Sequence, residues 1–290
     1  MKRENTLLDL SAMVTGVLLA LNLPPTLPVY MVVIGAFFAI VVVKQMFGGL
    51  GNNFVNPALA SRIFLVISFP KAMTLWSVRE GAFSFFSSLK GADLISSATP
   101  LAMLRNASVE AVSSATQYQN DSAIPTLLDL FLGDKAGCIG EVSILALLIG
   151  AAYLLARKVI APWIPLAYLG SFTLMVMLFG HTSFFETIME DPFALYTWEN
   201  AIYEPTYMLL SGGLILGAFF MATDYVTSPI TRRGKIIFGI GCGLLTFLIR
   251  YYGNIAEGVS FSIILMNILS PNIDRLTMRK PFGGRKHDHV

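Results

Sequence analysis

Eight charge-poor apolar runs alternate with polar connections along the chain, near residues 7–23, 29–47, 54–70, 141–157, 161–180, 206–223, 235–252 and 258–274. Each approaches the roughly 20 residues that a helix needs to cross the hydrocarbon of a bilayer, so each predicts a transmembrane helix. Several are short or interrupted by Gly and Pro. The interval from about 71 to 140 is too polar to span and predicts one long loop. The first run lacks the short apolar core and cleavage site of a signal peptide, which predicts a retained helix. The chain thus divides into a first helix triplet (1–70), a long loop (71–140) and a second helix bundle with a basic tail (141–290).

Composition agrees with this pattern. Hydrophobic residues make up 55% of the 290 and charged residues 13%, about half the charged share of soluble domains, and the mean hydropathy is +0.67. A net charge of +2 is too small to argue for nucleic acid. Cys138 and Cys242 stand alone, which predicts two ordinary buried thiols and no disulfide framework. His181, His287 and His289 have no ligand spacing with other metal-binding types, so no metal site is read.

Positive residues stay in the cytoplasm during insertion. Lys2 and Arg3, Arg157 and Lys158, Arg232, Arg233 and Lys235, and the tail from Arg275 to Lys286 all fall on one side of an eight-span arrangement. Both termini are therefore expected inside. The acidic connection from His181 to Glu204, and the long loop, are expected outside the cytoplasmic membrane of a bacterium or archaeon.

The stretch KQMFGGLGNNFVNPALASRIF from Lys44 and the stretch RYYGNIAEGVSFSIILMNIL from Arg250 share a cation at a helix end, a Gly-containing turn and a helix of similar length. VTGVLLALNLPP from Val14 and SGGLILGAFFMATDYVTSP from Ser211 correspond upstream of them. Segments one to three thus echo segments six to eight in reversed orientation, the signature of an inverted repeat. Such folds hold ligands at helix breaks, where backbone polar groups face a cavity. The candidate breaks are Asn52, Asn53, Asn56 and Pro57 in the first half, and Thr223, Asp224, Thr227 and Ser228 in the second. Pro57 inside a helix would remove a hydrogen bond for which the asparagines could substitute; a packing kink with locally satisfied amides is the alternative, as a helix-end cap is for Asp224. A charge at mid-span costs about 2.5–3.5 kcal/mol. Interface snorkelling accounts for Lys44 and Arg250, while Arg62 is expected to face a polar interior, a partner or an anionic group.

The long loop contains the tetrapeptide Ser-Ser-Ala-Thr twice, in DLISSATPL (93–101) and EAVSSATQY (110–118). Thr99 precedes Pro100 and a helix-favouring run, which reads as N-cap followed by first helical position. Unpaired N–H groups and the positive dipole end there suit a phosphate. Thr116 falls at the C-terminal end of its helix-like run, where carbonyls repel one. Polarity favours Thr99.

DLISSATPL resembles the flavinylation motif of the D subunit of the Rnf ion-translocating oxidoreductase and of its relative, the B subunit of the sodium-pumping NADH:quinone oxidoreductase. Asp93, Ser96, Ala98 and the acceptor Thr99 match it, with Ser97 in place of the usual Gly and Pro100 following. GVLLALNLPPTLP, VKQMFGGLGNNFVNPALASR and FFMATDYVTSP also resemble segments of the Rnf D subunit. Members of that family carry two further helices ahead of the segment that begins here near Asp9, so the chain is either a short variant or starts internally. The resemblance implies an all-α membrane flavoprotein with FMN joined through its phosphate to Thr99, set by a separate flavin transferase, and riboflavin bound non-covalently deeper in the membrane part. Asn52, Asn53, Asn56 and Asp224, singled out at the helix breaks, are further candidate cofactor-binding residues, and which residues hold the riboflavin is not read from the sequence. It also implies partners: the second flavin-bearing component, which is the G subunit of the Rnf complex, the membrane-embedded A and E subunits, and the peripheral B and C subunits. The chain would relay electrons between ferredoxin and NAD coupled to Na+ or H+ movement, with no independent catalysis. A small-solute channel of the urea or ammonium type is the alternative that the repeat leaves open, and a purely structural membrane component is a third.

Overall fold

The computed structural model describes residues 10–49, 51–78, 95–97, 101, 125–133, 135–180, 195–253 and 258–278. These form helices apart from one short ribbon. In chain order they are α1 (Ser11–Leu21), α2 (Val29–Phe37, continuing as a π-helical stretch, Phe38–Gln45), α3 (Pro57–Ser68), α4 (Pro70–Met73), β1 (Trp76–Val78), β2 (Ile95–Ser97), α5 (Leu127–Leu132), α6 (Ile144–Ala156), α7 (Trp163–Phe179), α8 (Leu195–Leu210), α9 (Leu214–Leu216, continuing as a π-helical stretch, Gly217–Met221), α10 (Arg232–Tyr252) and α11 (Val259–Thr277).

Local chemistry starts and stops these helices. Asn56 accepts hydrogen bonds from the N–H groups of Ala58 and Leu59, and Pro57 takes the first helical position of α3. Pro57 therefore removes no helical hydrogen bond, because the N–H at that position has no intrahelical partner in any residue; the expected proline break inside the third segment is instead a capped helix start. Thr126 and Asp129 form a capping box on α5, and Ser143 and Thr231 cap α6 and α10. The break in the sixth segment also lies earlier than expected, at Ser211–Gly213. Gly212 adopts φ +67° there, and the two pieces diverge by 69°. Thr223, Asp224, Thr227 and Ser228 belong to the connection leading to α10.

The tightest packing joins α7, α10 and α11. A Cβ at Gly239 would lie 2.8 Å from the Ile164 carbonyl, and one at Gly243 would lie 2.7 Å from that of Tyr168, so the small-xxx-small pair lets the two backbones touch. Tyr168, Phe172, Phe238 and Cys242 fill the interface. The Tyr168, Thr246 and Ser262 hydroxyls close a buried triangle at 2.6, 2.7 and 3.1 Å.

The distribution of residues is inverted relative to a soluble domain. Val29, Ile67, Leu166 and Leu276 are more than 60% exposed, while Lys44, Arg62, Lys135, Glu141, Glu204 and Arg250 are each at most 5% exposed. Such a surface suits lipid or partner helices. Of the described helices, α10 alone is long and apolar enough to cross a bilayer, and the bent α8–α9 pair is the next; Ser11–Leu21, Val29–Gln45, Pro57–Ser68, Ile144–Ala156 and Trp163–Phe179 are apolar but shorter. At about 1.5 Å per residue, the 11 residues of α1 reach only halfway through the hydrocarbon.

Candidate functional site

Lys44 and Arg250 do not snorkel. Both are buried, Lys44 at the wall of a cavity and Arg250 against backbone carbonyls. Arg250 donates from Nη1 to the Met208 carbonyl at 2.7 Å and from Nη2 to that of Ser211 at 3.3 Å. Lys135 donates to the Leu210 carbonyl at 2.7 Å. Two cations thus satisfy the carbonyls that the break after α8 leaves without helical donors, at the negative end of that helix.

Arg62 faces a polar interior, one of the environments its sequence position allowed. Its Nη1 donates to Asn22 Oδ1 at 2.9 Å and to Ser260 Oγ at 3.2 Å, and its Nη2 reaches Cys138 Sγ at 3.5 Å. Cys138 donates to the Asn22 carbonyl, and its own N–H meets Glu141 Oε1. The Ile139 and Gly140 N–H groups bond the carbonyls of Leu23 and Leu21. Arg62 therefore ties α1, α3, α11 and the 138–141 loop together. Sequence reading missed Asn22 and Ser260, since nothing in their spacing announces a shared cation, and Glu141, which binds the Cys138 N–H beside them.

At the opposite end lies a cavity of about 490 Å³. Asn53, Asn56 and Lys44 line it from the first half of the chain, and Thr223 and Asp224 from the second; Leu18, Phe219 and Phe220 supply apolar wall. Asn56 spans the halves through a 3.4 Å bond from Nδ2 to the Met221 carbonyl. Asn53 is 7% exposed, and its Oδ1 accepts no hydrogen bond from the described residues. Asn52 stands apart, exposed, with its amide on the Gly48 carbonyl. Asp224 accepts from the Val226 N–H and the Thr227 hydroxyl, which makes it a local cap as well as a cavity residue. Burial pushes its carboxyl above the usual range, and those two donors and Lys44 pull it partly back. Three of the four sequence-predicted contacts thus meet in one place.

A buried acceptor with no donor costs free energy, so Asn53 Oδ1 is open to an N–H or O–H donor within the cavity. The cavity size falls in the range of cofactor pockets, and its apolar walls with a polar edge suit a flat heteroaromatic ring.

In the long connection, β1 and β2 pair antiparallel with Trp76 opposite Ser97, Ser77 opposite Ser96 and Val78 opposite Ile95. The backbone of the small-residue run is thereby fixed against the segment that follows α4, two positions before Thr99. Sequence reading expected no strand there. Asp93, Ala98, Thr99, Pro100 and Thr116 lie outside the described residues; Leu101 is helical and buried in the main core.

A family model described as the NQR2, RnfD, RnfE family matches residues 1–283. The chain is similar to the D subunit of the Na(+)-translocating ferredoxin:NAD(+) oxidoreductase complex of Acetobacterium woodii, 42% identical over 288 residues, covering 99% of this chain and 77% of that protein. It is also similar to the D subunit of the proton-translocating ferredoxin:NAD(+) oxidoreductase complex of Clostridium ljungdahlii, 40% identical over 282 residues, 97% and 77% covered. The D subunit of the ion-translocating oxidoreductase complex of Escherichia coli is 37% identical over 303 residues, 97% and 80% covered.

Proposed function

The chain belongs to the NQR2, RnfD, RnfE family, and from that premise we propose that it is the membrane-embedded D subunit of an Rnf-type complex, passing electrons between ferredoxin and NAD while the assembly moves Na+ or H+. Relatives at comparable identity are named for sodium and for proton translocation, so the coupling ion is not read from likeness. The solute-channel and purely structural readings lose ground, because the matched relatives are named as components of oxidoreductase complexes.

The observation that carries the site is the convergence of Asn53 and Asn56 with Thr223 and Asp224 on one cavity that contains an unsatisfied buried acceptor. A non-covalent flavin, riboflavin by the family resemblance, is the ligand proposed for it. When bound, such a ring supplies one- and two-electron chemistry. The residues present would hold it: Asn53 would accept a hydrogen bond from an N–H of the ligand, Phe219 and Phe220 would supply apolar wall, and Lys44 and Asp224 would set the charge nearby. Asp224, with its affinity for a proton raised by burial, would hold a proton at the cavity edge.

A second flavin, FMN, is proposed on Thr99 through a phosphoester made by a separate flavin transferase. The small-residue composition of the run supports this, since Ser96, Ser97 and Ala98 carry little side-chain bulk beside the acceptor hydroxyl, and the ribbon pairs the backbone of Ser96 and Ser97 with that of Ser77 and Trp76. Both termini are proposed cytoplasmic and the Thr99 loop extracytoplasmic. Supporting this alternation, the residues expected inside gather at one end: Lys44 and Asn56 share the cavity with Leu154 and Asp224, and the Thr231 and Thr277 hydroxyls meet at 2.6 Å. The A, B, C, E and G subunits of the Rnf complex are the proposed partners.

The test is co-expression with a flavin transferase, followed by a denaturing gel and in-gel fluorescence. A fluorescent band lost in Thr99→Ala and kept in Thr116→Ala is the expected result. No band, or a band that survives Thr99→Ala, refutes the attachment site.

A further inference from the structure

Beside the flavin cavity lies a second one, of about 390 Å³, which shares Val159, Ile160, Thr223 and Tyr225 with it. Two lysines from different elements line it, Lys158 at the end of α6 and Lys235 in the first turn of α10. Neither ammonium group has a hydrogen-bond or ion-pair partner among the described residues. The Ser228 hydroxyl also lines the cavity.

Each lysine stands where helix physics disfavours it. Lys158 has φ +56° and occupies the left-handed position after α6, with its N–H on the Leu155 carbonyl and the Val159 N–H on that of Leu154. That is the C-terminal motif for which glycine is the ordinary choice. α5 ends on a glycine in the left-handed region, Gly133 at φ +118°. A lysine held in this conformation points to a use for its side chain. At α10, Arg232, Arg233 and Lys235 crowd the positive end of the helix with no acidic residue in the first turn, the reverse of what the dipole favours. Asp274 approaches the same region but is spent on the Ile230 N–H at 3.0 Å, and Arg232 lies over the Trp163 ring at 3.5 Å. The site is an excess of positive charge around a polar hollow.

We propose that this cavity binds the phosphate of an anionic phospholipid headgroup, with Lys158 and Lys235 on its oxygens and Ser228 as a further donor. The surroundings favour a lipid over a soluble phosphate. Ile160, Pro162 and Ile164 form apolar wall, and Tyr225 in the same lining is 70% exposed, as is Ile230, two residues after Ser228, at 72%, which suits acyl chains alongside. Basic hollows between helices at the inner face of a membrane recognise such headgroups.

The full chain, purified in neutral detergent and stripped of lipid, would be titrated with phosphatidylglycerol, with phosphatidylcholine of the same acyl chains, and with inorganic phosphate, following retained lipid by native mass spectrometry and the thermal midpoint. Phosphatidylglycerol is expected to stay bound and raise the midpoint, and phosphatidylcholine is not. The Lys158→Gln/Lys235→Gln pair should weaken phosphatidylglycerol binding about thirtyfold, while Lys158→Arg retains it. Lys158→Gly should raise the midpoint of the lipid-free protein, because the left-handed position is relaxed, yet still weaken lipid binding; a purely structural lysine would not show that opposition. Equal binding of the two lipids, or unchanged binding in the double variant, overturns the proposal. Full stabilisation by inorganic phosphate at the same concentration overturns the lipid as ligand.

Discussion

Arg62→Met removes the cation that joins four elements while keeping much of the side-chain volume. Two charge-assisted hydrogen bonds, at 2.9 Å to Asn22 and 3.2 Å to Ser260, disappear together with the weaker contact to Cys138. Asn22 Oδ1 then faces the interior without its donor. A hydrogen bond to a charged group contributes roughly 1.5–3 kcal/mol, and breaking a buried network by deleting one member costs about 3–5 kcal/mol. The expected loss is therefore about 3–5 kcal/mol, or roughly 6–20 °C in thermal midpoint at 2–4 °C per kcal/mol. Arg62→Lys should recover only part of it, because an ammonium cannot fork toward Asn22 and Cys138 from the same position. The assay is thermal unfolding in detergent followed by size-exclusion fluorescence, with a double-mutant cycle against Ser260→Ala. A coupling of about 1 kcal/mol or more is expected between the two positions. If Arg62→Met melts within about 2 °C of the parent, or the cycle shows no coupling, the cation is a passenger and the argument fails.

Gly243→Ala forces a methyl into the backbone of α7 and should cost about 1–3 kcal/mol, read as a lower midpoint; unaltered stability would mean that α7 and α10 do not touch there. Asn53→Leu should lower the non-covalent flavin recovered after native purification while leaving the in-gel fluorescence of a Thr99-linked flavin unchanged, and equal loss of both would contradict separate sites. Asp224 has a folded-state pKa above its unfolded value, so the fold binds its proton more tightly and stability falls as pH rises from the ordinary carboxylate range through the raised pKa. Midpoints measured across pH 4–8 should accordingly decline more in the parent than in Asp224→Asn; parallel curves would exclude the shift. Arg250→Met should destabilise by a few kcal/mol, because it strips the Met208 and Ser211 carbonyls of their donor, and midpoints unchanged by it would show that another group satisfies them.

Much of the architecture was readable from the residues. Hydropathy summed over a local window located most of the helices to within a few residues, since apolar run length is a property of contiguous sequence; α8 is the exception, beginning at Leu195 inside the stretch expected to be an acidic connection. The resemblance around DLISSATPL and FFMATDYVTSP pointed to the family that the comparisons then matched along nearly the whole chain. Asn53, Asn56 and Asp224, singled out as polar residues at expected helix breaks, line one cavity. Tertiary structure decided the rest. Whether Pro57 breaks a helix or begins one depends on where Asn56 caps, and whether Arg250 reaches for water depends on which carbonyls lie opposite it. The break at Ser211–Gly213 is held open by cations from residues 135 and 250, and the Arg62 cluster draws on positions from 22 to 260. A window along the chain cannot register such partners, because burial of a charge is settled by atoms brought close in space from segments far apart in sequence.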